Sequence, residues 1–85
     1  MKKRVPRDDW RRQGQEEFLR GLKWSLRFYV PYREGWDHDH CEFCWRKFSL
    51  AKGDVHIGYV SGDKYHWVCE ECFADFCDEL GWQVE

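Results

Sequence analysis

The apolar positions of the chain change period several times, and each change predicts an element. Residues 8–21, "DDWRRQGQEEFLRG", read as a helix: Asp8 or Asp9 caps it, Glu16 and Glu17 precede Arg20 at helical spacing, and Gly21 ends it, with Gly14 as an internal weak point. From Lys23 the period drops to two, because Trp24, Leu26, Phe28 and Val30 alternate with Ser25, Arg27 and Tyr29. That predicts a half-buried strand closed by Pro31, in preference to a helix continued through Leu19, Leu22, Leu26 and Tyr29. Further on, "VHIGYV" and "KYHWVC" flank "SGD", the pattern of a β-hairpin. The last periodic run, "CEECFADFCDELG", puts Phe73, Phe76, Cys77 and Leu80 on one helical face behind an acidic first turn, with Gly81 as the stop.

These elements belong to one small domain. At 85 residues a hydrophobic core alone supplies little stability, so something further is expected to hold the fold together. Aromatic residues make up 19% of the chain and charged residues 35%, which suits a compact core under a soluble surface rather than a disordered chain. No apolar run approaches membrane-spanning length, and the basic start "MKKRVPRDDWRRQ" has no apolar segment behind it, so neither export nor insertion is expected. Residues 1–7 are expected to form a flexible basic arm and residues 8–85 a single domain.

Five cysteines is an odd number, and four of them fall into the pattern Cys41-x2-Cys44-x24-Cys69-x2-Cys72. Two residues between cysteines let both sulfurs of a tight turn face one ion, and two such turns supply the four thiolates of a tetrahedral Zn²⁺ site. The pattern predicts one structural Zn²⁺ held by Cys41, Cys44, Cys69 and Cys72. It also points to a reducing compartment, the cytoplasm, rather than a disulfide framework. Iron satisfies the same ligands, while a thioredoxin-type redox role lacks the βαβ surroundings it needs. Cys77, beside Phe73 and Phe76, reads as a core thiol.

"CEFC", a hairpin and then "CEEC" opening a helix resemble the treble-clef and zinc-ribbon-like zinc fingers over about half the chain, Cys41 to Leu80. "WDHDHCEFC" together with "HWVCEECF" is similar to small bacterial zinc-binding proteins, from which no activity carries over. The resemblance implies a small α+β zinc-stabilised domain: an N-terminal helix and strand, a zinc knuckle, a β-hairpin and a C-terminal helix, with residues 36–81 as the zinc module.

The stretch "WDHDHCEFC" adds two histidines and two aspartates to the first cysteine pair. HNH nucleases of the treble-clef type carry an Asp-His pair between their knuckles. Here "DHDH" precedes the first knuckle and no Asn-plus-His helix follows the second, so a metal-dependent hydrolase centred on His38 and His40 lacks its parts. Four thiolates also close the shell that a catalytic zinc leaves open. The expected roles are supporting ones. His40, next to Cys41, and His66, three residues before Cys69, donate to a ligating sulfur or a nearby carbonyl, with Asp37 and Asp39 orienting His38 or His40. Two further arrangements stay open: His40 in place of one thiolate, and a second ion at His38, Asp39 and His66. His56, on the hairpin, is expected to face solvent.

Net charge is −2, but it is unevenly spread: residues 1–34 carry ten Lys/Arg against five Asp/Glu, and residues 35–85 carry four against eleven. Lys2, Lys3, Arg4, Arg7, Arg11 and Arg12 are the candidate nucleic-acid contacts, a basic patch that would act by counterion release. The acidic remainder, made more negative by about two charges when four thiolates hold one Zn²⁺, opposes that use. Six tryptophans exceed what so small a core hides. Trp36 and Trp67 are expected in the core, and Trp10, Trp45 and Trp82 at a contact surface. The function expected from all this is a non-catalytic structural-zinc module that binds another protein. A zinc-dependent nucleic-acid binder is the alternative, and a nuclease-like hydrolase ranks behind both.

Overall fold

Gly14 decides where the first helix begins in the computed structural model, which describes residues 5–85. Its φ of 95° lies in the left-handed region that side-chain-bearing residues rarely adopt, so the chain turns there instead of running on as a helix from Asp8. The first helix, α1, is the short segment Gln15–Leu19. Before it the chain is a series of turns, with an Asp9 carboxylate oxygen accepting from the Arg11 N–H at 2.8 Å and the Pro6 carbonyl from the Asp9 N–H at 3.1 Å. The helix expected over residues 8–21 is thus cut to its second half. Of the arm expected over residues 1–7, residues 1–4 lie outside the described part, and Val5 is buried in the core.

Beyond α1 the chain forms β1 (Lys23–Phe28), then a small ribbon of β2 (Asp39–His40) and β3 (Lys47–Phe48), then β4 (Ile57–Ser61), β5 (Trp67–Val68), helix α2 (Glu70–Leu80) and β6 (Gln83–Val84). The result is a small α+β fold with two helices, a four-stranded mixed sheet in the order β5-β4-β1-β6 and the separate β2-β3 ribbon. β4 and β5 are the expected hairpin, antiparallel with Tyr59 opposite Val68 and Val60 opposite Trp67. β1 pairs antiparallel with β4, Trp24 opposite Ser61 and Phe28 opposite Ile57, and parallel with β6. α2 ends as its sequence predicts, at a left-handed Gly81.

The sheet is covered on both faces by aromatic side chains. On one face α2 brings Phe73 flat against Tyr59, ring centroids 3.7 Å apart, and against Trp82 at 5.1 Å, with Trp24 edge-on. On the other face Tyr29, Phe48 and Trp67 pack together, with the Tyr29–Trp67 centroids 5.0 Å apart and those of Phe48 and Trp67 5.3 Å apart. Phe48 lies so close over β4 that a Cβ on Gly58 would stand 2.6 Å from its ring. Trp82, expected at a surface, is buried, and its indole N–H donates to the Leu19 carbonyl at 2.7 Å.

β1 is the strand that its alternation predicts, yet its buried set differs. Of Trp24, Leu26, Phe28 and Val30 only Trp24 is buried; the other three are 47%, 75% and 65% exposed, whereas Tyr29, on the opposite face, is buried. The reason is reach. α2 packs over the Trp24 end of the sheet and leaves the Phe28 end of the same face uncovered.

Candidate metal centre

Each cysteine pair is placed by its own element. Cys41 follows β2, and its N–H donates to the Arg46 carbonyl at 2.8 Å, closing the tight turn that carries Cys44. The turn is completed by Trp45 at φ 68°, an uncommon conformation for a bulky residue. The knuckle is pinned to the hairpin through the Glu42 N–H, which donates to the Trp67 carbonyl at 2.9 Å. Cys69 caps α2: its sulfur accepts from the Cys72 N–H at 3.5 Å, so the second pair occupies the first turn of that helix.

The two elements bring the four sulfurs of Cys41, Cys44, Cys69 and Cys72 within 4.8 Å of one another, a group able to hold one metal ion. Cys44 Sγ and Cys69 Sγ are 3.6 Å apart. Cys41, Cys69 and Cys72 are buried and Cys44 is half-buried, at the edge of an open cleft of about 410 Å³ lined also by Trp10, Arg11, Arg46 and Glu71. Backbone N–H groups are aimed at the sulfurs. Cys41 Sγ accepts from Phe43 and Cys69 at 3.4 Å and from Cys44 at 3.5 Å.

So close a set of thiols cannot all ionise without a cation. Hydrogen bonds from the Cys41 and Cys72 thiols, the larger from Cys41, draw Cys69 below the ordinary thiol range, while donation to Cys69 pushes Cys41 up to about 12. Cys72 is raised by donation to Cys41 and Cys69. A bound dication reverses this by stabilising every thiolate at once.

Arg11 is the supporting residue that the sequence reading missed. Its guanidinium donates to Cys72 Sγ at 3.4 Å, to Asp75 at 2.9 Å and to both carboxylate oxygens of Asp9. The Asp9 hydrogen bonds, above all, hold it protonated. Gln15 adds a second tie from the same segment, donating to the Glu42 carbonyl at 2.8 Å. Arg46 is exposed, and its charge is favoured chiefly by Cys69 and then Cys44.

The residues expected to support the ligands make other contacts. His40 is exposed, its ring 4.9 Å from that of His38 and 6.3 Å from that of Trp45. His66 pairs with Glu42, Nδ1 to Oε2 at 2.7 Å, and Glu42 raises its pKa. Asp39 accepts from the Tyr29 hydroxyl and the Trp36 indole, each at 2.8 Å, while Asp37 does orient His38, also at 2.8 Å. None of His40, His66 and Asp39 is among the described groups that hydrogen-bond to a cysteine sulfur. His38, Asp39 and His66 do not come together as a metal-binding group among the described residues, and His56 is exposed as expected.

Of the candidate nucleic-acid contacts, Lys2, Lys3 and Arg4 lie outside the described residues. Arg11 is committed to the sulfur cluster, and Arg12 forks onto Glu79 with two bonds of 2.7 Å. Arg7 is exposed. Trp10 and Trp45 are exposed and Trp67 is buried, as expected, while Trp36 is half-buried. No helix among the described residues is long and apolar enough to cross a membrane. No known family model, curated protein or solved structure matches the chain.

Proposed function

We propose that residues 36–81 form a treble-clef-like zinc module, that its single Zn²⁺ is structural, and that the domain is a non-catalytic module for binding another protein in the cytoplasm. The observation that carries this is the cysteine cluster. Zn–S bonds of about 2.3 Å in a tetrahedron require sulfurs about 3.8 Å apart, and Cys44 and Cys69 already stand at 3.6 Å. The order of parts supports the treble-clef assignment: a knuckle on the β2-β3 ribbon, the β4-β5 hairpin, then Cys69 and Cys72 at the start of α2. Four cysteine ligands leave no position for a catalytic water. The exposed Trp10 and Trp45 beside mixed charges suit a protein surface. Two of the six cations proposed for nucleic acid, Arg11 and Arg12, are instead spent inside the fold.

The test is elemental analysis of freshly purified protein combined with capture of partners from lysate, with and without nuclease. One equivalent of zinc and a protein partner that survives nuclease treatment are expected. Less than about half an equivalent of metal would remove the module, and a partner lost with the nucleic acid would favour the nucleic-acid binder.

A further inference from the structure

β1 has one paired edge and one that is mostly open. On the β4 side the Tyr29 N–H donates to the His56 carbonyl at 2.7 Å, and hydrogen-bonded pairs alternate along an antiparallel ladder. Arg27 and Ser25 therefore point their backbone groups at β4, while Trp24, Leu26 and Phe28 point theirs the other way. There β6 pairs with Lys23 and Trp24 only, ending with the Glu85 N–H on the Trp24 carbonyl at 2.8 Å. Among the described residues nothing pairs with the outward backbone groups of Leu26 and Phe28. The same two residues, with Val30, carry the large apolar side chains left uncovered by α2.

An open edge is ordinarily blunted by charge or proline, and Arg27 and Pro31 provide both. Blunting does not call for three exposed apolar side chains in line with the open backbone. Charge selects the occupant. From Phe18 to Arg33 the chain carries Arg20, Lys23, Arg27 and Arg33 and no acidic residue. Among the described residues no ion pair engages Lys23, Arg27 or Arg33. A second copy fits poorly. Any antiparallel register that pairs Leu26 or Phe28 with its counterpart sets the two Arg27 side chains opposite or diagonal on one face, which is repulsive.

We propose that the outer edge of β1, from Leu26 to Val30, is a strand-addition site for an extended segment of a partner protein in which apolar residues alternate with acidic ones. The added strand gives its backbone to Leu26 and Phe28, its apolar side chains to the face of Leu26, Phe28 and Val30, and its carboxylates to the Arg27 face. The site rests on the interaction-module assignment and names the chemistry of the partner.

The experiment uses the full metal-loaded chain and two synthetic peptides, one alternating valine with glutamate and one alternating valine with lysine. The glutamate peptide is expected to slow amide exchange at Leu26 and Phe28 and to bind roughly fivefold or more tightly than the lysine peptide, as opposite-charge cross-strand pairs would give. Arg27→Glu, an exposed position, should invert that preference, and Phe28→Asn should weaken both. Absence of binding up to about 1 mM, binding without protection of Leu26 and Phe28, or self-association of the free chain through these amides overturns the site. Metal content is measured on the same samples. A failure here with zinc retained sinks the β1 edge alone, whereas loss of zinc would sink the module.

Discussion

Arg11 and Cys72 lie 61 residues apart in the chain, and the guanidinium of one donates to the sulfur of the other at 3.4 Å. The same guanidinium neutralises Asp75, which is buried on α2 one helical turn beyond Cys72. The N-terminal turns are thereby tied to the cysteine cluster, where a cation would offset the negative charge that four thiolates leave on a divalent ion. Arg11→Met should lower stability by about 1.5–3 kcal/mol, since it removes a charged hydrogen bond from the buried Asp75, and weaken metal retention by roughly 10–100-fold. Arg11→Lys should recover only part of both, because an ammonium cannot span Asp9, Asp75 and Cys72 at once. His40→Ala, at an exposed ring next to Cys41 in sequence, should stay within about 0.5 kcal/mol of wild type. Thermal unfolding and competition with a chelator read out all three; a His40→Ala loss matching that of Arg11→Met would reverse the assignment.

Cys41→Ser or Cys69→Ser should leave the chain largely unfolded. Structural zinc contributes on the order of 10–16 kcal/mol in small finger peptides, comparable with or larger than the roughly 5–15 kcal/mol that a typical domain has in total. Circular dichroism and proton NMR of metal-loaded and chelator-treated protein decide this, with dispersed amide signals expected only in the first. Cys77→Ser offers the contrast, since Cys77 lies outside the sulfur cluster, its thiol facing the Trp82 carbonyl at 3.8 Å.

What the sequence signals and what it leaves open divide by range. The hairpin, α2 with its glycine stop and the paired cysteines are signalled within a few residues, so period and spacing reveal them. The burial of β1 is not local: alternation marks Leu26 and Phe28 as apolar, but only the reach of α2 decides whether that face is covered. Adjacency also misled. His40 precedes Cys41 at the end of a strand, where successive side chains point to opposite faces, so the ring is carried away from the sulfurs. Arg11 left one trace, in Asp75: a carboxylate among Cys72, Phe73 and Phe76 on a helix needs a cation from elsewhere, although sequence does not say which.

The His66–Glu42 pair should make stability depend on pH in a defined direction. Glu42 raises the folded-state pKa of His66 above its ordinary value of 6.5. A raised pKa means that the contribution of the protonated pair is fully present below about pH 6.5 and fades as pH rises through the higher folded-state value. Glu42→Gln removes it, so the stability gap between wild type and variant should be larger at about pH 6 than at about pH 8.5. An NMR titration of His66 should show its midpoint above 6.5 in wild type and lower in the variant. A gap that widens with rising pH would contradict the pairing.

Gly58 makes the sharpest packing prediction. It is opposite Arg27 in the β1–β4 ladder, on the face where Phe48 lies against Trp67. An added Cβ would meet two ring carbons of Phe48 at 2.6 and 2.7 Å and the Val68 carbonyl oxygen at 2.9 Å. The first two clashes are with a side chain and the third is with backbone, so the ring must move and the β4–β5 pairing must shift with it. Gly58→Ala is expected to cost about 1–3 kcal/mol, the range for overpacking a filled core. Phe48→Leu in the Gly58→Ala background should return part of that loss by vacating the ring positions, whereas Phe48→Leu alone should be destabilising because it leaves a void against Tyr29 and Trp67. Opposite signs for one substitution in two backgrounds, measured by denaturant unfolding, are what direct contact between Gly58 and Phe48 requires; additive losses would show that the strand, and not the ring, sets the limit at this position.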